Sequence, residues 1–379
     1  MTDNVGQVAV LNSPLAEAHQ RLGGQMFVHE GWSIPANYGD LLWEYAAVRE
    51  SGAGMIDLSA RGRLLVSGSE AVQFLNGLIT NDMKTLAEHS WMPAAFPNVQ
   101  GRLIASVRVM RLKDDPASTE KKSCPRFLID TEPATREPVW KTIERFTLAG
   151  DFRVKDVTYQ TAHLSIQGRE AVRITSKVVG VEIAEFAPAE VREIFTPTDY
   201  SVLRATHTGA LGFDLIADID GANNLWNALG AAGARPVGHD ALEILRIEAG
   251  IPRYGIDMDD TNVVTEAALD DAVSYTKGCY VGQEIIARIK YRGHVAKKLS
   301  GIRFDGAVRV EPGAAIKSGD KEIGRVTSTT YSPHLGHTIA LGYVKYDYLA
   351  AETAVSVAVE GSEAEARITA LPFVNRAVQ

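Results

Sequence analysis

Residues 277–284 read "KGCYVGQE" and run on into "IIARIKYRGH". A cysteine between two glycines, close to several cations, is a pattern that can make a thiol reactive. The thiolate is the nucleophilic form, and cations or a helix N-terminus favour it. Lys277 lies two residues before Cys279, and Arg288, Lys290 and Arg292 follow on the same segment. Gly278 and Gly282 allow a sharp turn or a close backbone approach to a ligand. Glu284, Ile285, Ala287 and Arg288 can open a helix, which sets Cys279 just before its positive end. The alternatives are a metal ligand, or a small buried hydrophobe in a turn, the commonest state of a free cysteine. Spacing alone leaves these open, although nothing in it points to a metal. The other cysteine, Cys124, falls in "KDDPASTEKKSCPR", a polar, Pro-containing surface loop. Two distant thiols cannot complete a structural zinc site or a cluster, so no stably bound metal is expected. No disulfide framework is expected either, and the reducing cytoplasm fits the cysteine usage.

A second set of polar residues is dispersed. Asp214 follows the turn "TGALGF"; Arg246 and Glu248 share a helix; Tyr254 and Asp257 follow in "IPRYGID". A carboxylate such as Asp214 can accept paired N–H donors from a heterocycle, and Tyr254 can pack on its flat face. Taken singly, each reads as a surface charge or a core-edge tyrosine. Asn81-Asp82 reads as turn chemistry. The histidines, His163 and His207 among them, show no ligand-like pairing on a helix. No phosphate-cradling Gly-rich loop and no "GxSxG" elbow is present.

These residues need elements to hold them. "RLLV" followed by Gly68-Ser69 and an apolar helical face at Ala71, Phe74, Leu75 and Leu78 is a strand–turn–helix phrase. "LSIQGREAVRI" repeats it about a hundred residues later, a sign of two related α+β modules. "GRLIASVRVMRL" alternates as a half-buried strand; "SVLRATHTGALGFDLIAD" is a hairpin; "HDALEILRIEAG" is a helix ended by Gly250. A further helix is expected over residues 38–51. After residue 297 short alternating stretches recur between turn signals, the texture of an all-β barrel or sandwich. The formal charge of −8 disfavours broad nucleic-acid binding. No run of 18 apolar residues is present, so no membrane span is expected, and the first residues lack the pattern of a secretory signal.

In order along nearly the whole chain, "MIDLSARGRLLVSGSEAVQFLNGLITND", "TGALGFDL", "LRIEAGIPRYGIDM", "GRVTSTTYSPHLGHTIALGYVK" and "LPF" resemble the glycine-cleavage T-protein superfamily. "KGCYVGQE" looks closest to its YgfZ-like branch of folate-binding proteins. The resemblance implies an α+β, three-domain cloverleaf around a central folate channel, with two α/β domains and a C-terminal β-barrel. The domains implied are 1–60 with 150–262 as a discontinuous folate-binding domain, 61–149 as a second α+β domain, 263–296 as a linker carrying the cysteine motif, and 297–379 as the barrel. It also implies that Asp214 holds the pterin, where Glu is usual, with Arg246 and Tyr254 lining the same site. Asn81, Gly282, Gln283 and Glu284 join them on the cofactor-binding side. Cys279, aided by Lys277 and Arg288, becomes the working thiol.

One departure bears on activity. T-proteins carry acidic residues where this chain has Ala105 and Ser106, and one of those acids is needed for aminomethyl transfer. Neither replacement can act as a carboxylate base. The resemblance therefore implies a tetrahydrofolate-binding accessory protein, taking tetrahydrofolate or a one-carbon derivative. Such a protein would act in iron–sulfur cluster assembly or repair through Cys279, with client or assembly proteins as partners, and indirectly affect tRNA-modifying iron–sulfur enzymes. The alternative is a folate-dependent aminomethyltransferase or demethylase.

Overall fold

A computed structural model describes residues 10–50, 52–114, 124–196 and 198–374. Two α/β domains are followed by a closed barrel, so the chain has the mixed α+β architecture that its patterning suggests.

The first domain is built on a six-stranded sheet in the order Val191–Thr196, Thr198–Arg204, Gly212–Asp218, Thr161–Gln167, Gly54–Asp57, Arg235–Pro236. Its outer face carries the helices Ala171–Val179 and Ala222–Ala231, buried through Ile174, Leu225 and Trp226 against Ile166, Phe213 and Leu215. On the other face the helices Leu41–Arg49 and His239–Glu248 pack with Ile56, Leu58 and Val237. The helix expected over 38–51 is shorter because Asp40 caps it, its Oδ1 accepting from Trp43 N at 2.9 Å. A small N-terminal sheet contributes the hairpin Gln25–His29 and Trp32–Asn37.

The second domain has a five-stranded sheet: Ser90–Pro97, Leu103–Leu112, Arg126–Thr131, Gly62–Ser67, Arg153–Asp156. Arg153–Asp156 pairs antiparallel with Gly62–Ser67. Strand pairing therefore carries this domain to Asp156 rather than 149. The returning strand follows a helix, and nothing in its short, polar sequence marks which sheet it joins.

The repeated strand–Gly–helix phrase has one physical cause in both domains. Gly68 and Gly168 sit at φ +130° and +127°, each between a strand and the helix that packs back on it. A Cβ would lie 2.1 Å from Asp151 O in the first case and 2.7 Å from Gly52 O in the second. Only glycine permits this turn.

The C-terminal strands close a six-stranded barrel in the order Lys297–Phe304, His337–Lys345, Lys321–Ser332, Ala315–Ser318, Ala354–Val359, Ser362–Thr369. Two buried polar clusters bolt it to the helix His239–Glu248. Arg246 and Asp257 bind Ser328, while Glu248 accepts from Tyr45 and Ser332. The segment expected as a linker is packed structure: Val264, Ala267, Val273, Tyr280 and Ile286 share a core with Ala95 and Leu103 of the second domain.

Candidate functional site

A cavity opens where the first domain, the N-terminal hairpin and the second domain meet. Its empty volume is about 810 Å³, part of it continuous with solvent. Ile34, Ile56, Leu58, Val237, Leu242 and Pro252 give it apolar walls; His29, Glu30, Arg61, Glu132, His207, His239 and Arg253 give it polar edges. Apolar walls with a few convergent polar groups are the usual make-up of a small-molecule site.

The polar edge is strongly organised. Arg253 donates to His239 Nε2 at 2.7 Å and reaches Glu243 at 2.5 Å. Burial, with Arg253 next in weight, pushes His239 down to about 4, and the same two causes lower His29. Both imidazoles are therefore neutral at neutral pH, their centroids 4.6 Å apart. Glu30 is raised by burial and then by Glu132. Glu132 opposes its own burial through Arg61 and Arg253, which hold it below the ordinary range.

Behind the edge runs a buried ionic chain that crosses between the two α/β domains. Asp130 stands opposite Arg108 on neighbouring strands. It accepts from Arg61 Nε and Nη2 at 2.8 and 3.0 Å and from Arg108 Nε at 2.9 Å. Arg108 Nη2 then reaches Asp214 Oδ2 of the other domain at 2.7 Å. His163 Nε2 lies 3.0 Å and His207 Nε2 2.9 Å from the same oxygen. Burial alone would raise Asp214, but His207, Arg108 and His163 together hold it well below the usual carboxylate range. Burial lowers His163 despite its two carboxylate neighbours.

Sequence reasoning missed this cluster. Residues 108, 130, 163 and 214 lie on four strands, and no linear spacing joins them. The one legible sign was the glycine turn between His207 and Asp214, which folds the two ends of a hairpin loop together. Ligand atoms of His163, His207 and Asp214 lie within 4.8 Å of one another, a set able to hold a cation. Arg108 already spends its positive charge on that carboxylate, so the arrangement suits a proton better than a metal ion.

Several expected site residues occupy other positions. Asp214 is fully buried, hydrogen-bonded to His207 and ion-paired with Arg108 and His163, so it stands behind His207 rather than on the cavity wall. Arg246 touches the cavity, yet its guanidinium is committed to Glu243, Asp257, Ile251 O and Ser328. Tyr254 is half-buried beside the strand Leu103–Leu112, its hydroxyl 3.5 Å from Leu103 O. The Asn81 amide donates to Pro93 O and Asp271 O.

The cysteine motif is docked on the second domain and does not line the cavity. Lys277 is buried, and its Nζ donates to Asn76 O, Ile79 O and Asn81 O at 2.7, 2.8 and 2.6 Å. Burial lowers it to about 8. It closes the carbonyl end of the helix Ala71–Leu78, so its ammonium is occupied there rather than free to attend Cys279. Gly282, at φ +77°, opens the helix Gln283–Arg292. A Cβ there would lie 2.4 Å from Asn98 O. Cys279 is exposed, as are Glu284 and Arg288, and Gln283 is half-buried. Ala105 lies in the second domain's apolar core, whereas Ser106 shares the opposite face with Arg108.

Two α/β domains with a polar-edged cavity between them and a C-terminal β-barrel make an architecture of a recognisable class. Residues 15–277 match the GCVT N-terminal domain and residues 297–375 the glycine cleavage T-protein C-terminal barrel domain, so the chain belongs to the glycine cleavage T-protein family. It is 32% identical over 376 residues to an aminomethyltransferase of Rubrobacter xylanophilus, covering 98% of this chain and 96% of that one. It is 30% identical to an aminomethyltransferase of Thermotoga maritima, covering 97% and 98%. Its fold superposes on the crystal structure of the glycine cleavage system aminomethyltransferase T from Bartonella henselae with a TM-score of 0.87 at 23% identity, covering 97% and 98% of the two chains.

Proposed function

We propose that this protein binds tetrahydrofolate or a one-carbon derivative in the central cavity and transfers a one-carbon unit between it and a small amine donor, as an aminomethyltransferase-type enzyme does. The observation that carries the reading is the cavity itself. A pterin ring is flat, with apolar faces and a hydrogen-bonding edge. Leu58, Val237, Leu242 and Pro252 supply apolar wall, while His207, Arg61, Glu132 and Glu30 supply donors and acceptors on one edge. Similarity to aminomethyltransferases along the whole chain supports the reaction class.

Bound folate would supply the nitrogen chemistry that carries the one-carbon unit. The chain's own residues would grip it, exclude water from the apolar side and manage protons at the polar edge. Ala105 and Ser106 stand where the T-proteins' acidic residues are expected, so acid–base work must come from the cavity's own polar groups. The test is folate-dependent turnover with a lipoyl-linked aminomethyl carrier as the probe. Transfer above the uncatalysed rate supports the reading, and its absence with folate bound removes it.

A second reading keeps the same cavity and rests on Cys279. An exposed thiol on a motif anchored by Lys277 and Gly282 suits contact with another protein. In this reading the chain is a YgfZ-like, cytoplasmic accessory of iron–sulfur assembly or repair, meeting client or assembly proteins through that motif. A Cys279→Ala variant that restores iron–sulfur enzyme activity fully to a deletion strain would remove it.

A further inference from the structure

His207 is held in a manner unlike a surface histidine. Gln167, fully buried, ties down the loop on both sides of it: Nε2 donates to Ala205 O at 3.1 Å, and Oε1 accepts from His207 N at 3.3 Å and Thr208 Oγ1 at 3.1 Å. Its imidazole is thereby fixed with Nε2 on Asp214, at 2.9 Å from Oδ2 and 3.1 Å from Oδ1. The side chain keeps 16% of its surface exposed and lies on the cavity wall. Nδ1 makes no hydrogen bond to any described residue and is not sealed from solvent.

The proton on this ring can be located from its partner. An ionised carboxylate only accepts hydrogen bonds. Asp214 is ionised, so the neutral imidazole must carry its proton on Nε2. That leaves the Nδ1 lone pair without a partner among the described residues, on a side chain that lines the cavity. A buried carboxylate that orients a histidine and stabilises its imidazolium is an arrangement in which histidine serves as a general base.

We propose that the His207–Asp214 pair is the proton acceptor of this cavity, with His207 the catalytic residue and Asp214 the positioning residue. The inference rests on the one-carbon-transfer reading above and supplies the base that Ala105 and Ser106 cannot. When an N–H nucleophile uses its lone pair to bond the transferred carbon, that carbon's bond to the donor breaks and its electron pair leaves with the donor. The nucleophile's proton passes to His207 Nδ1. The imidazolium so formed is held against Asp214 and returns the proton to the departing donor, so the step needs no oxidant or reductant.

The charged groups around the pair come from every neighbouring element. Arg108 shares Asp214 Oδ2 but is also paired to Asp130; His163 is neutral; Arg61 and Glu132 stand on the cavity edge bound to each other. None of them presents a second free base beside Nδ1, since Glu132 is bound to Arg61 and His163 is fully buried.

The first test needs no turnover. ¹⁵N-histidine spectra of the intact protein near neutral pH, with the His207 signals assigned by their loss in His207→Gln, should show an unprotonated, pyridine-type Nδ1 and a protonated Nε2. Asp214→Asn, whose amide can donate to Nε2, should move the proton to Nδ1. A protonated Nδ1 in the wild type overturns the proposal whether or not folate binds. The second test measures transfer with the lipoyl-linked aminomethyl carrier and tetrahydrofolate. His207→Gln should lower kcat at saturating tetrahydrofolate by about 10²-fold or more, whatever change in affinity the loss of a wall residue brings. Added imidazole should recover part of kcat in His207→Ala. Unchanged kcat in His207→Gln overturns the proposal. Failure of the wild type to bind or turn over overturns the transfer reading, and with it any proton-acceptor role in transfer.

Discussion

Replacing Asp214 by asparagine keeps the shape of the side chain and removes one buried charge from the chain linking the two α/β domains. Arg108, His163 and His207 then face a neutral amide, and Arg108 keeps only Asp130. Breaking a buried pair by neutralising one partner costs about 3–5 kcal/mol. At roughly 2–4 °C per kcal/mol for a cooperative unit near 200 residues, the melting temperature should fall by roughly 6–20 °C at pH 7. The variant should also change how stability depends on acid. In the folded wild type Asp214 is held well below its ordinary pKa. Its contribution is therefore full above the unfolded carboxyl value, about 3.9. It is lost as pH falls from there toward the folded value, because the unfolded chain takes up the proton first. Over that window the wild type should lose stability about 1.4 kcal/mol per pH unit more steeply than Asp214→Asn, one proton's worth. Urea unfolding at pH 7 and at several points from pH 4.5 down to 3 measures both effects. Equal stability at pH 7, or parallel acid slopes, would refute the view that Asp214 is an ionised tie between domains.

Further outcomes follow from the cysteine motif. Gly282→Ala should cost about 2–4 kcal/mol, since a Cβ would meet Asn98 O at 2.4 Å and the backbone is in the left-handed region; an unchanged melting temperature would contradict this. Lys277→Met leaves the carbonyls of Asn76, Ile79 and Asn81 without their donor and should cost about 1–3 kcal/mol by urea unfolding. The wild type should also gain stability between about pH 8 and the unfolded lysine value of about 10.4, where the folded chain holds fewer protons; Lys277→Met should lack that rise. Cys279→Ser should leave the melting temperature unchanged, within about 0.5 kcal/mol, and tetrahydrofolate affinity unaltered, because the thiol is exposed and does not line the cavity.

Local rules carried much of the fold into the sequence. The hairpin around "TGALGF", the helix stopped by Gly250 and the late alternating strands are local patterns, and each has its counterpart in the structure. The paired "LLVSGSEAV" and "LSIQGREAV" phrases mark two turns at which only glycine fits. The end of the second domain was illegible because Arg153–Asp156 is short and half-exposed, and its partner strand lies some ninety residues earlier. The site was harder to read still. Asp214 is recognisable as a carboxylate after a glycine turn, but its burial is set by Arg108 and His163, which arrive on strands from elsewhere. His207 is indistinguishable in sequence from the other histidines, because its partner lies across the hairpin loop rather than along a helix. Lys277 looked like a cation beside a thiol; only the fold reveals the three carbonyls that claim it.

In the reading proposed above, the cavity bounded by Leu58, Val237, Leu242, Pro252 and His207 holds tetrahydrofolate. An anaerobic calorimetric titration of the full chain with reduced tetrahydrofolate, repeated on Leu242→Trp, tests it most directly. Saturable binding at one site per chain is expected in the wild type and affinity at least about tenfold weaker in Leu242→Trp, with both proteins folded by circular dichroism. No saturable heat at several temperatures, or equal affinity in the two proteins, would contradict it.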